Sequence, residues 1–102
     1  STSLRREFKF SILVPAADYY PQAGAEEQVL LQGVVDCCFE TLEGITVVDF
    51  KTDRVDRRSV AARAEEYRPQ LAAYSRALEE ITGKPVIRRC LWFFALDQAV
   101  DV

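Results

Sequence analysis

The chain has 102 residues and a formal net charge of −3, with 49% hydrophobic and 28% charged residues and only 4 Gly and 4 Pro. This is one small domain with enough apolar residues for a core, which excludes disordered, collagen-like and low-complexity classes and leaves no room for a second catalytic unit. It has no His, and its 3 Cys are odd in number, with Cys37 beside Cys38. That excludes a disulfide framework, a zinc site, a serine-type triad and a histidine general base, so carboxylates and lysine are left to carry any chemistry.

At the N-terminus, Arg5, Arg6, Glu7 and Lys9 stand where a signal peptide would have its apolar stretch. Glu7 to Val14 then alternates around Phe8, Phe10, Ile12 and Val14 and is closed by Pro15, the pattern of a first strand. Pro15 to Gln28 reads as a connecting loop. Val29 to Glu40 is a second strand, with Leu31, Gly33, Val35, Cys37 and Phe39 on one face. Gln32, Val34, Asp36, Cys38 and Glu40 fall on the other. Thr41 to Gly44 is a turn, and Ile45 to Thr52 is a third strand that should pair with the second as a hairpin. A two-residue loop at Leu42 and Glu43 pairs positions that sum to 85, setting Asp36 opposite Asp49 and Val34 opposite Lys51. A three-residue loop ending in Gly44 with a bulge would shift that register.

After Arg54 the period changes. Val60, Ala64, Tyr67, Leu71, Tyr74, Leu78 and Ile81 form the stripe of an amphipathic helix, with Ser59 as N-cap and Gly83 and Pro85 as the stop. Pro69 within the stripe implies either a kink or a restart with Pro in the first turn. Val86 to Leu96 is a last apolar strand. Within it, the longest apolar run, Cys90 to Leu96, is too short to span a bilayer. The expected order is β-β-β-α-β, in a reducing cytoplasm with no membrane partner.

Opposed Asp36 and Asp49 repel unless a cation lies between them. Two carboxylates with waters and a substrate phosphate are a usual way to hold Mg2+. Lys51, on the same face as Asp49, would direct a positive charge to the same place, where it can stabilise charge on a phosphate or orient a water nucleophile. The three residue types suggest phosphodiester hydrolysis. Asp-x-Lys is common on strands by chance, and taken alone it reads as a solvated face. Asp36 in the middle of LLQGVVDCCF is the feature that a solvated strand does not explain, since an Asp among apolar strand residues is costly without a role.

Gly33-Val34-Val35-Asp36, Asp49-Phe50-Lys51-Thr52-Asp53 and Gln70-Leu71-Ala72-Ala73-Tyr74, in this order, resemble the GxxD, DxK and QxxxY motifs of the RecB-type nucleases of the PD-(D/E)xK superfamily. REFKF, LLQGVVD, VVDFKTDRV and YRPQLAAYSRALEEITGKPV extend the likeness over most of the chain, to the C-terminal nuclease domains of AddAB-type helicase-nucleases. The resemblance implies an α/β (α+β) fold with a restriction-endonuclease-like core, a mixed β-sheet flanked by helices. It implies metal-dependent cutting of single-stranded DNA during double-strand-break repair by recombination, in the bacterial cytoplasm and beside an AddB-type partner subunit. Residue by residue, Asp36, Asp49 and the Phe50 carbonyl become metal ligands, with Mg2+ the expected ion, and Lys51 the catalytic lysine. Gln70 and Tyr74 would position substrate or the lysine. Tyr74 reads equally as core and Gln70 as solvated. Glu7 matches an acidic residue on the family's first strand, and reads equally as an exposed strand-edge charge.

The family's core begins with a helix that carries a further site residue, often a His, and nothing before Ser1 supplies it. Residues 1–102 are therefore expected to be a C-terminal fragment of a larger helicase-nuclease. The GxxxxGK[ST] signature for ATP is absent from this chain and is expected in the remaining helicase part. Such a fragment should cut DNA weakly or not at all. It should also self-associate through an uncovered sheet face offering Phe8, Phe10, Leu31, Val35 and Phe93. Residues 51–68, with six basic and four acidic side chains, form the one net-positive stretch. Arg54, Arg57, Arg58, Arg63 and Arg68 there are candidate phosphate contacts, or a salt-bridged helix start. Trp92, Phe93 and Phe94 are candidate base-stacking residues or core. The alternative function is an inactive nuclease-like module for DNA binding or subunit docking.

Overall fold

The computed structural model describes residues 3–102; Ser1 and Thr2, which open the expected domain, lie outside the described residues. Five strands form one mixed sheet in the order β1-β2-β3-β4-β5. The strands are β1 (Ser3–Pro15), β2 (Gln28–Glu40), β3 (Ile45–Lys51), β4 (Val86–Phe93) and β5 (Gln98–Asp101), with a single helix α1 (Val60–Thr82) between β3 and β4. Neighbouring strands run antiparallel except β3 and β4, which are parallel. A parallel pair needs a crossover, and α1 supplies it.

The β2–β3 hairpin takes the two-residue loop. Thr41 and Gly44 exchange both backbone hydrogen bonds, at 2.9 and 3.3 Å. Pairing then runs from Glu40↔Ile45 to Cys37↔Val48, all pairs summing to 85. Leu42 at the tip is 97% exposed.

One expectation about β2 is corrected. Strict alternation puts Val35 and Cys38 on opposite faces, yet both are buried in the same core cluster with Val47 and Leu91. The alternation slips by one residue at Asp36. In β1 the residue opposite is Glu7, whose φ of 51° lies in the left-handed region, and Glu7–Asp36 is the one pair missing from an otherwise continuous ladder. A local irregularity of this kind turns a strand about its axis and changes which side chains face the core.

The last strand is also shorter than its apolar run. β4 ends at Phe93, not Leu96, because the chain turns: the Leu96 N–H donates to the Phe93 carbonyl, the Asp97 N–H donates to the Phe94 carbonyl, and Asp97 takes a φ of 49°. β5 then returns antiparallel as an edge strand, giving β-β-β-α-β-β.

Ser59 is the N-cap of α1 as expected, but its side chain caps no helix N–H; it bonds back into the preceding turn. Asp56 Oδ1 accepts the N–H groups of Arg58 and Ser59, both at 2.9 Å, and Ser59 Oγ accepts the Asp56 N–H at 3.0 Å. These reciprocal bonds, arranged as in a capping box, fix the turn that leads into the helix. The helix runs unbroken through Pro69 and stops at Gly83, whose φ of 72° is left-handed and whose N–H donates to the Glu79 carbonyl. Gly there avoids the Cβ penalty.

Ala64, Leu71, Ala77 and Leu78 of α1 are buried against Phe10, Val35, Val47, Leu91 and Phe93 of the sheet. Phe10, Val35 and Phe93 are thus core, not an uncovered association surface. Phe8 and Leu31 are partly buried against the same cluster. Ile81, the end of the expected stripe, is exposed.

Candidate active site

The site forms at the C-terminal end of β3, under α1. β3 is the middle strand of the sheet, so its backbone is held on both sides. The β2–β3 ladder stops at Cys37↔Val48, one step short of setting Asp36 against Asp49. At that step the Asp36 carboxylate replaces a backbone acceptor: its Oδ2 accepts the Phe50 N–H at 2.9 Å. Val34 keeps its β1 partner Lys9 and is not paired with Lys51, contrary to the simple register extension.

Asp49 is 3% exposed. Burial, and then the neighbouring Asp36 carboxyl, push its pKa up to about 6, against the opposing pull of Lys51. Lys51 Nζ lies 2.7 Å from Asp49 Oδ2 and donates to Gln70 Oε1 at 2.9 Å. It also sits 3.9 Å from the centre of the Tyr67 ring. Gln70 and Tyr74, one helical turn apart, therefore divide their work. Gln70 grips the lysine, whereas Tyr74 stacks edge-on against Phe10 with ring centroids 5.6 Å apart. Burial, then the Asp49 and Asp36 charges, raise the Tyr74 pKa, so the phenol keeps its proton.

The two rings explain the glycine of the first motif. A Cβ on Gly33 would lie 3.1 Å from Phe10 Cε2 and Cζ and from Tyr74 Cε1. Sequence spacing links Gly33 to Asp36 along β2; the structure links it also to Tyr74 on α1.

The remaining candidates separate. Glu7 is exposed and does not join the two aspartates: among the described residues, no three His, Cys, Asp or Glu side chains gather closely enough to hold a metal. Arg63 is engaged by Asp53 and Glu66, and Arg68 by Glu65. Arg54, Arg57 and Arg58 are exposed, with no carboxylate in ion-pair range among the described residues. Phe93 is fully buried and Trp92 partly so, whereas Phe94 is exposed with its ring 5.7 Å from that of Phe50.

Tyr67 and Asp53 belong to the site although no motif marks them. Tyr67 reads in the sequence only as part of the apolar stripe, although its spacing of three from Gln70 and seven from Tyr74 places all three on one helical face. Its hydroxyl donates to Asp53, 3.0 and 2.9 Å from the two carboxylate oxygens.

The donor set is oxygen-rich and charge-unbalanced: two adjacent carboxylates against one ammonium. A hard divalent cation fits it, completing its shell with waters, a backbone carbonyl or phosphate oxygens. The ammonium beside them suits an anionic substrate. No helix among the described residues is long and apolar enough to cross a membrane.

Comparison with known proteins agrees with this chemistry. The family model of the PD-(D/E)XK nuclease superfamily matches residues 2–100. The A-type subunits of ATP-dependent helicase/nucleases are similar: 43% identical over 91 residues in Desulforudis audaxviator, 41% over 100 in Listeria welshimeri and 39% over 106 in Ruminiclostridium cellulolyticum. These alignments cover 87%, 92% and 100% of this chain, which spans only 7–8% of the length of those relatives.

Proposed function

This chain belongs to the PD-(D/E)XK nuclease superfamily, and on that premise we propose that it is the nuclease domain of an ATP-dependent helicase-nuclease that hydrolyses phosphodiester bonds in single-stranded DNA. The observation that carries the reading is the convergence of Asp36, Asp49, Lys51 and Gln70 at the end of one strand.

Asp36 and Asp49, with the Phe50 carbonyl, would hold a divalent cation, for which we propose Mg2+. When bound, such an ion supplies Lewis-acid stabilisation of the phosphate and lowers the pKa of a coordinated water. The protein's own part is positional. Buried Asp49 and the backbone-bonded Asp36 have few alternative conformations, so their oxygens are preorganised. Lys51, fixed by Asp49 and Gln70 and itself only 13% exposed, presents N–H donors to the negative charge that grows in the transition state. Tyr74, protonated and wedged against Gly33, closes the wall beside the carboxylates. The exposed Arg54, Arg57 and Arg58 follow β3 directly and would neutralise phosphates of the bound strand. The setting we propose is double-strand-break repair by recombination in the bacterial cytoplasm, with ATP used by the helicase part and with an AddB-type partner.

The test is cleavage of a single-stranded oligonucleotide in Mg2+ by the full-length protein carrying Asp49→Ala or Lys51→Ala. Loss of cleavage by at least about 100-fold in each, with DNA binding kept, is expected from removing an electrostatic stabiliser. Wild-type cleavage in both variants would sink the reading.

A further inference from the structure

We infer that Tyr67 is a positioning residue for Lys51, its ring face seating the ammonium and its hydroxyl fixing the ring; the inference rests on Lys51 acting at the phosphate as proposed above. A lysine side chain has four flexible carbons and three rotatable donors, so its charge is aimed only if neighbours hold it. Among the described residues, three neighbours hold Lys51 Nζ by charge, hydrogen bond or ring face: Asp49 at 2.7 Å, Gln70 at 2.9 Å and the Tyr67 ring at 3.9 Å. The ring distance is well inside the range for cation–π attraction, and the Lys51 side chain is only 13% exposed, where that attraction is strongest.

The three neighbours are not equivalent. Asp49 is charged, and a cation on it competes with the ammonium for the same oxygens. Gln70 and Tyr67 are neutral and keep their hold whatever Asp49 binds. Tyr67 is itself tied down: its hydroxyl bonds Asp53, and Asp53 is paired with Arg63. That pairing balances the Asp53 charge, so the anchor steadies the ring without drawing Lys51 away. Asp53 lies two residues beyond Lys51, and Tyr67 lies one turn before Gln70 on α1. The anchor therefore links the same two elements as the Lys51–Gln70 hydrogen bond.

The experiment uses the full-length protein, single-stranded DNA and saturating Mg2+, with Tyr67 replaced by phenylalanine and then by mono-, di- and trifluorophenylalanine. Fluorination keeps the ring's shape but drains the negative face that attracts a cation. Tyr67→Phe should lower kcat by about threefold, because the hydroxyl anchor to Asp53 is lost while the ring face survives. Log kcat should then fall stepwise to about tenfold at the trifluoro ring, equivalent to about 1.4 kcal/mol. KM for DNA and the thermal midpoint should be unchanged along the series. A flat series overturns the inference, and so does a series in which kcat falls only in step with the thermal midpoint, since the ring would then act through packing. Lys51→Ala in the same assay separates the cases: if it cleaves at the wild-type rate, the assignment of Lys51 has failed; if it is inactive while the fluorinated series is flat, only the role of Tyr67 has failed.

Discussion

Gly33→Ala tests how tightly the first motif is bound to the third. The new methyl would sit 3.1 Å from atoms of both Phe10 and Tyr74, whereas carbon pairs in ordinary contact are about 3.5–4.0 Å apart. Both rings must retreat by a few tenths of an ångström. Phe10 is 7% exposed, and each ring is held by its edge-on contact with the other. Overfilling a packed site costs about 1–3 kcal/mol. Gly33 does not have a positive φ, so alanine also restricts the unfolded chain and returns about 0.4–1 kcal/mol. The net expectation is a loss of about 1 kcal/mol. With a urea slope of about 1–3 kcal/mol/M, the unfolding midpoint should drop by roughly 0.3–1 M at unchanged slope. Gly24→Ala is the control: its nearest neighbour would be 3.6 Å away, and its midpoint should hold or rise. A Gly33→Ala midpoint at or above wild type would refute the argument, because the rings would then yield freely.

Leu91→Ala, at a fully buried position paired in register with Asp49, should cost about 2–5 kcal/mol in urea unfolding. Burial pushes the Asp53 carboxyl up, but hydrogen bonds from Arg63 and Tyr67 outweigh it and hold the pKa below its ordinary value. A lowered carboxylate pKa gives stability that is present above the unfolded value of about 3.9 and lost as pH falls through the folded one. The stability gap between wild type and Asp53→Asn should therefore narrow below about pH 4, and a gap independent of pH would contradict the assignment. Replacing Arg54, Arg57 and Arg58 together by Gln should make the salt dependence of single-stranded DNA binding shallower by about 2 in log–log slope, at about 0.7 per phosphate contact. An unchanged slope would place the phosphates elsewhere.

Much of the site was legible because β-pairing is arithmetic. Once the loop is Leu42 and Glu43, the partners from Glu40↔Ile45 to Cys37↔Val48 follow with the sum of 85, which brings Asp36 up to β3 although the ladder stops before Asp36 and Asp49 pair. What was not legible is what breaks the arithmetic. No pattern in LLQGVVDCCF announces that the strand changes face at Asp36, since Val, Cys and Phe suit either side. The return strand β5 is only four residues long, too short to show a period, and its turn is disguised by the apolar Phe94-Ala95-Leu96. Ser59 was legible as the N-cap because it precedes the first apolar stripe residue; its exchange of hydrogen bonds with Asp56, in place of a side-chain cap, was not. The stripe itself hid Tyr67, because an aromatic at helical spacing fits a core and a site equally well.

The Asp36 side chain accepts a backbone N–H where the ladder would otherwise continue. One carboxylate thus closes the end of a hairpin and, on the proposed function, would also offer an oxygen to a cation. Anything that draws charge from Asp36 also weakens the acceptor that holds the Phe50 amide, so occupancy of the site and tension at the strand end rise and fall together. Amide protection at Phe50 is then a local gauge of what Asp36 binds, one that can be read without any DNA present.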